Sequence, residues 1–411
     1  MKRWKKLSLI LLLLLVLSQI PFACRRYKLG KLHGAIQQIN SQRSPKQISD
    51  YTEYTGVMHV HSSLGGHSTG RFEDIIAAAQ SNGLDFVIMT EHPSNNVDTA
   101  RMTLSGEHGG VMFVNGNEVS TVNGDRLLLL PGDWRASAAG SQSTSEVLAN
   151  QHSDRFSFVA YPGEFKSWEQ TGYSGIEVYN VYTNARNINP LMMFFDAVWS
   201  YRTYPDLLFA NFYRRPAESL KLWDEQIKSK NERLVATAGN DSHANVGLSL
   251  NDSTGKTLLG IKLDPYERSF RLVRLHVLIS PLPNTDPISP ERVADKWDFL
   301  TSIAAGHCFI GFDIFGDTSG FSFTAEDQDE KKIMGDEIKL EDQVRLAVSV
   351  PVPARVLLLK DGERIHEVNG VNQLDFVAKE KGSYRVEVYL PQLGKPVGEQ
   401  PWIISNPIYV R

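Results

Sequence analysis

Residues 56–67 read GVMHVHSSLGGH, a short apolar run closed by His59, His61 and His67. The chain holds eleven histidines in 411 residues, so this crowding asks for a reason. Side chains in a strand alternate between faces, which predicts His59 and His61 on the same one. Two adjacent imidazoles on one face either meet solvent or share a cation. The rest of the chain has to decide between these.

Outward from this stretch, apolar runs with strand character alternate with helical patterns. The runs are LDFVIMTE, VMFVNGNEVS, DRLLLLPG, FSFVAYPG, GIEVYN and LVATAGND. Between them, RFEDIIAAAQSNG has helical spacing with a glycine stop, and RPAESLKLWDEQIKSKN is amphipathic with proline near its start. Such alternation predicts an α/β body of βα units around a parallel sheet or barrel. From about residue 320 the pattern becomes short alternating strands with turn signals such as Asp361-Gly362, the pattern of a small all-β sandwich. The expected division is a signal or anchor over 1–24, a linker over 25–50, the α/β body over 51–315 and a sandwich over 330–411.

The N-terminus reads MKRWKK followed by LSLILLLLLVLSQIPF, a basic segment and an apolar run of export-signal length. Cys24 follows, in ACRR. Two readings stay open: a lipoprotein signal ending at an acylated Cys24, or an uncleaved membrane anchor. Pro21 stands where a lipoprotein signal usually carries leucine. Both readings put the body outside the cytoplasm, on the periplasmic or extracellular side of a bacterial envelope. Cys24 and Cys308 are the only cysteines, so no disulfide framework supports the fold. With 22% charged residues, a net charge of −4 and no basic–aromatic tract past the N-terminus, the chain gives no sign of nucleic-acid binding.

The strand ends carry the chemistry. The first ends in His59 and His61, the second in Thr90-Glu91-His92, the third in Gly116-Asn117-Glu118, and a late one in Asn240-Asp241-Ser242-His243. In βα-barrels the C-terminal strand ends converge on one mouth. Imidazoles and carboxylates gathered there would form an N/O ligand cluster suited to Zn, Mn or Fe. Each element alone is a weak signal; together and in order they are a strong one.

This order, HxH, a third histidine six residues on, T-E-H, G-N-E and N-D-S-H, resembles the PHP superfamily of metal-dependent phosphoesterases over residues 55–245. The two-part layout is also similar to its exported, carbaryl-hydrolase-like branch. The resemblance implies a distorted (β/α)7 barrel with up to three divalent cations at its mouth. It assigns His59, His61, Glu118 and Asp241 to one cation, and His67, His92 and His243 to another. The chain departs from the pattern at the middle cation, where Arg126 and Tyr161 replace histidines, and Glu91 replaces the more usual aspartate before His92. Two cations are therefore expected rather than three, or one tight and one labile.

A guanidinium has no free lone pair, so Arg126 cannot ligate, but its fork suits phosphate or carboxylate oxygens. Tyr161 is expected to polarise a leaving oxygen or merely fill space, and Asn180 to touch substrate. Of the other histidines, His33, His108, His152 and His366 read as surface residues, His276 as structural, and His307 as a cap or core residue. His152 is the one that could replace a missing ligand. The expected activity is hydrolysis of a small-molecule phosphate ester by a metal-activated hydroxide. Carboxylester or carbamate hydrolysis is the alternative chemistry, and a metal-stabilised, non-catalytic envelope binding protein the alternative class.

Overall fold

The computed structural model describes residues 2–45, 50–150, 154–186, 188–245, 247–251, 257–262, 264–280 and 294–411. His152 lies outside the described residues. The fold is mixed α/β. The strands that position the site are β1 (Thr52–Val60), β2 (Phe86–Met89), β3 (Gly106–His108), β4 (Val111–Val114), β5 (Asn117–Ser120), β6 (Arg126–Leu130), β7 (Phe156–Ala160), β8 (Gly175–Asn180) and β9 (Val235–Gly239).

Strands β1, β2 and β4 pair in parallel, as do β7, β8 and β9. The all-parallel expectation fails between them, because β6 is antiparallel to both β5 and β7. A tight turn after β5 is the cause: Thr121 N–H donates to the Asp125 carbonyl at 2.9 Å. The chain doubles back there instead of crossing over through a helix. VMFVNGNEVS, read as one strand, is two. A Cβ at Gly116 would sit 2.4 Å from the Leu130 side chain and 2.5 Å from the Met89 carbonyl. Only glycine lets the chain leave β4 and enter β5 at that point.

A barrel closed by continuous hydrogen bonding is not what these pairings form. Strands β1, β2 and β4 lie in one sheet and β5–β9 in another. Among the described residues the two sheets join at isolated bridges, Val60 with Ser242 and Glu91 with Asn117. Val60, Ser242 and Glu91 all sit at or just past C-terminal strand ends, so the sheets converge where the histidines are.

On its other side β1 pairs antiparallel with Arg274–Ile279, which pairs with Cys308–Gly311 and that in turn with Pro401–Ser405. The C-terminal segment is all β and is hydrogen-bonded into the same 14-stranded sheet as β1. Buried polar contacts reinforce the join. Asn406 accepts from Ala236 N–H at 2.7 Å and donates to the Cys308 carbonyl at 2.9 Å. Arg385 donates twice, at 2.8 Å each, to Asp224 of helix Ala217–Lys230. Cys308 is buried, as expected. Instead of short strands, the chain here forms one long strand, Val344–Lys360, turning at Asp361-Gly362 into Glu363–Ala378. Pro351 and Pro353 do not end it. They coincide with a register shift between Ser349 and Ala354, where missing N–H donors are tolerated.

The N-terminal helix spans Lys2–Ser41, so the segment expected as a linker is helical through Ser41. Its first half is exposed and apolar, whereas Phe22, Leu29, Leu32, Ile36 and Ile39 are buried. An 18-residue window within Arg3–Ser41 has a mean hydropathy of 2.4, long and apolar enough to cross a membrane.

Candidate metal centre

The end of β1 departs from a regular strand. Its pairing with β2 shifts between Met58 and Val60, and His59 sits at φ +66°. Alternation alone therefore does not bring His59 and His61 together; the bulge does. Their Nε2 atoms lie 3.2 and 3.3 Å from the same oxygen, Glu118 Oε2. Asp241 Oδ1 is 3.6 Å from each. The His61 ring also stacks against His92 at 4.6 Å and His243 at 4.3 Å.

Two overlapping triads result, His59–His61–Asp241 and His61–His92–His243, each with its ligand atoms within 4.8 Å of one another. Glu118 Oε2 lies between them, 3.7 Å from His92 Nε2. His67 falls outside both triads. It is exposed, with its ring edge-on to His92 at 4.9 Å. The histidine grouped with His92 and His243 is His61, and His67, expected beside them, adjoins the group through His92.

The donor set fits a cation. Both ring nitrogens of His61, and Asp241 Oδ1, are buried without a hydrogen-bond partner. Buried polar atoms are nearly always satisfied, so atoms left over beside the two triads call for a ligand. His59, Tyr161 and Asp241 all have positive φ, at +66°, +50° and +49°. Strain of this kind in non-glycine residues collects at functional sites.

The charges agree with this arrangement. Burial pushes the pKa of His61 down to about 4, and burial with neighbouring His61 does the same to His92. Both rings are thus neutral, the form that ligates metals. At His59 burial opposes the charged ring, but Glu177, Asp241 and Glu118 outweigh it and hold the pKa well above the usual imidazole value. Burial works against the anions of Glu118 and Asp241 too, yet His59 and His61 keep both pKa values low. Three buried carboxylates around His59 make a concentration of negative charge that a divalent cation would offset.

Glu177 is the residue that the sequence reading missed. It is fully buried in β8, and its Oε2 accepts from His59 Nδ1–H at 2.7 Å. That bond fixes the ring and turns Nε2 toward Glu118 and Asp241, as outer-shell carboxylates do for metal-binding histidines. A Cβ at Gly239 would lie 2.0 Å from Glu177 Oε2, so the glycine makes the room. The signal was present in GIEVYN, where one acidic residue sits inside an otherwise apolar strand.

The remaining candidates surround the centre. Tyr161 O–H donates to Asp241 Oδ2 at 2.6 Å, and Asn180 Nδ2–H bonds Glu177 Oε1 at 2.7 Å and Asp241 Oδ2 at 3.3 Å. Burial, with Asp241 and Glu118 nearby, drives the Tyr161 pKa upward, so it keeps its proton. Arg126 Nη1 is 3.3 Å from Glu118 Oε1, and its guanidinium lies over the Tyr161 ring at 4.9 Å. Glu91 is turned away from the triads. It accepts from Ser62 N–H at 3.1 Å and Thr103 Oγ1–H at 2.9 Å, bracing the loop after β1. Glu164 pairs with Arg186, and Lys166 with the Asn123 carbonyl.

No family model matches the chain, and no curated protein does. Among solved structures it is similar to a two-domain protein containing a predicted PHP-like metal-dependent phosphoesterase from Bacteroides vulgatus. The identity is 13%, the match covers 88% of this chain and 98% of that one, and the TM-score is 0.37. It is also similar to PsfC from Pseudomonas syringae, at 14% identity over 62% of this chain and 90% of that one, with a TM-score of 0.34.

Proposed function

We propose that the chain is a divalent-cation-dependent phosphoesterase, exported and held at the membrane by its N-terminal segment, with two cations (Zn, Mn or Fe) at the converging strand ends. The observation that carries this reading is the pair of triads sharing His61, with the ring nitrogens of His61 and Asp241 Oδ1 left without protein partners. His59, His61, Asp241 and Glu118 would hold one cation, and His92 and His243 the other, beside the shared His61.

Bound cations supply Lewis acidity, lowering the pKa of water toward neutrality and offsetting charge on the phosphate. The chain's own residues do the rest. Glu177 orients His59 through Nδ1–H, and Tyr161 and Asn180 hold Asp241 Oδ2, leaving Oδ1 turned to the histidines. Arg126, half-exposed and only singly bonded to Glu118, has further N–H groups to receive a phosphoryl oxygen. In the reaction a water oxygen bonds to phosphorus, the P–O bond to the alcohol breaks, and the departing oxygen takes up a proton.

Elemental analysis of the purified chain, paired with nitrophenyl phosphate, bis-nitrophenyl phosphate and nitrophenyl acetate, tests this reading. About two Zn, Mn or Fe per chain with phosphate-ester turnover is the expected result. Metal-free protein that regains none on reconstitution would overturn the site, and turnover of the acetate alone would overturn the phosphoester chemistry.

A further inference from the structure

Beside the centre lies a cavity of about 600 Å³ that joins the catalytic groups to the N-terminal helix. Its inner wall includes Tyr161, Glu177 and Asn180, the residues that hold Asp241 and His59; its outer wall includes Arg25, Met192 and Met193. The two methionines belong to helix Pro190–Ser200, which packs on the N-terminal helix. Phe22 and Phe195 are in ring contact at 4.9 Å, Arg25 pairs with Asp196 at 2.9 Å, and Trp199 Nε1–H donates to Gln19 at 3.0 Å.

These contacts fall at the end of the apolar run, at the level where a spanning helix would leave the bilayer. There the short helix exposes Leu191 by 65%, Phe194 by 44% and Val198 by 65%. Their spacing of three and four residues places them on one helical face. An exposed apolar face of this kind marks an interaction surface. Its neighbour in space is the exposed, membrane-length apolar helix, so the partner that fits both is a lipid surface. An acylated Cys24 would anchor the same place, since it directly precedes Arg25.

We propose that the Leu191–Phe194–Val198 face lies on the bilayer beside the anchor, and that the cavity draws its substrate from the membrane: a phospholipid whose phosphate reaches Tyr161 and Arg126 while its acyl chains leave past Met192 and Met193. Arg214, which also lines the cavity, donates to the Tyr213 carbonyl at 2.7 Å and adds positive charge for an anionic headgroup. The inference rests on the phosphoesterase reading.

The test uses the full, metal-loaded chain in vesicles of phosphatidylethanolamine and phosphatidylglycerol doped with phosphatidic acid. Diacylglycerol release is followed alongside turnover of soluble nitrophenyl phosphate. The wild-type chain is expected to act on both. The triple variant Leu191→Asp, Phe194→Asp, Val198→Asp should lose about tenfold on vesicles, through weakened interfacial docking, and nothing on the soluble ester. Val198→Asp alone should move the ratio of vesicle to soluble rates the same way. Unchanged vesicle rates in both variants, or a wild-type chain active on the soluble ester and inert on vesicles, would overturn the lipid substrate. If the wild type hydrolyses neither, the phosphoesterase reading itself falls.

Discussion

His59 and His276 are both fully buried beside carboxylates, yet their surroundings differ in one decisive respect. His276, on strand Arg274–Ile279, is satisfied on both ring nitrogens: Nδ1–H donates to Glu53 at 2.7 Å and Nε2–H to Thr318 Oγ1 at 2.9 Å. Thr318 in turn donates to Asp313 at 2.6 Å, and Gly320 N–H donates to the other Glu53 oxygen at 2.8 Å. Around His59 the same residue types leave atoms over, the ring nitrogens of His61 and Asp241 Oδ1. Composition does not separate the two clusters. Completeness of hydrogen bonding does: a closed network is a structural device, and an open one is built for a ligand.

The largest effect should come from breaking the closed network. His276→Ala strands Asp313 and Glu53 and is expected to cost about 3–5 kcal/mol in urea unfolding, with metal content unchanged. A loss of metal in that variant would erase the contrast. At the open cluster, Asp241→Ala should cost about 3–4 kcal/mol of transition-state stabilisation in kcat/KM while unfolding moves far less. Full retained activity would remove Asp241 from the site. Smaller again, Glu177→Gln is expected to weaken metal affinity about 10–100-fold with the folded state intact, read by competition with a chelator. Unaltered affinity would reduce Glu177 to core filling.

The smallest effect per step is in pH. Burial opposes a charged His276, but Asp313 and Glu53 raise its pKa to about 10, above its value of 6.5 when unfolded. Its stabilisation is therefore complete below pH 6.5 and lost as pH rises through 10. Asp313 runs the other way: burial is outweighed by His276 and Arg274, and its pKa falls to about 2. That contribution is present above pH 3.8, its unfolded value, and lost as pH falls through 2. The wild type should lose up to about 1.4 kcal/mol per pH unit on the alkaline limb, and His276→Ala should flatten it.

Legibility in the sequence followed locality. The strand-end residues His59, His61, His92, Glu118, Asp241 and His243 could be found because each sits where an apolar run stops, and the structure brings these six within reach of one another. The structural reading of His276 needed only its place inside a strand. Glu177 escaped because a lone acid in an apolar strand gains meaning only from His59, 118 residues away in sequence. Arg126 and Tyr161 were legible as departures from the pattern. That Tyr161 spends its proton on Asp241, and Arg126 one of its bonds on Glu118, was not.

The sequence by itself determined where the apolar runs of the α/β body fall, where the polar chemistry sits along them, and that an apolar segment leads the chain, because hydrophobic period and turn residues are local quantities. Only the tertiary structure decided that β6 runs antiparallel to its neighbours, that two sheets meet at single bridges instead of closing continuously, and that the C-terminal strands extend the sheet of β1. It also decided that His61 is shared by both triads, and that the cavity opens toward the N-terminal helix. Each of these outcomes depends on which distant groups satisfy one another's hydrogen bonds and volume, and no window along the chain contains both partners.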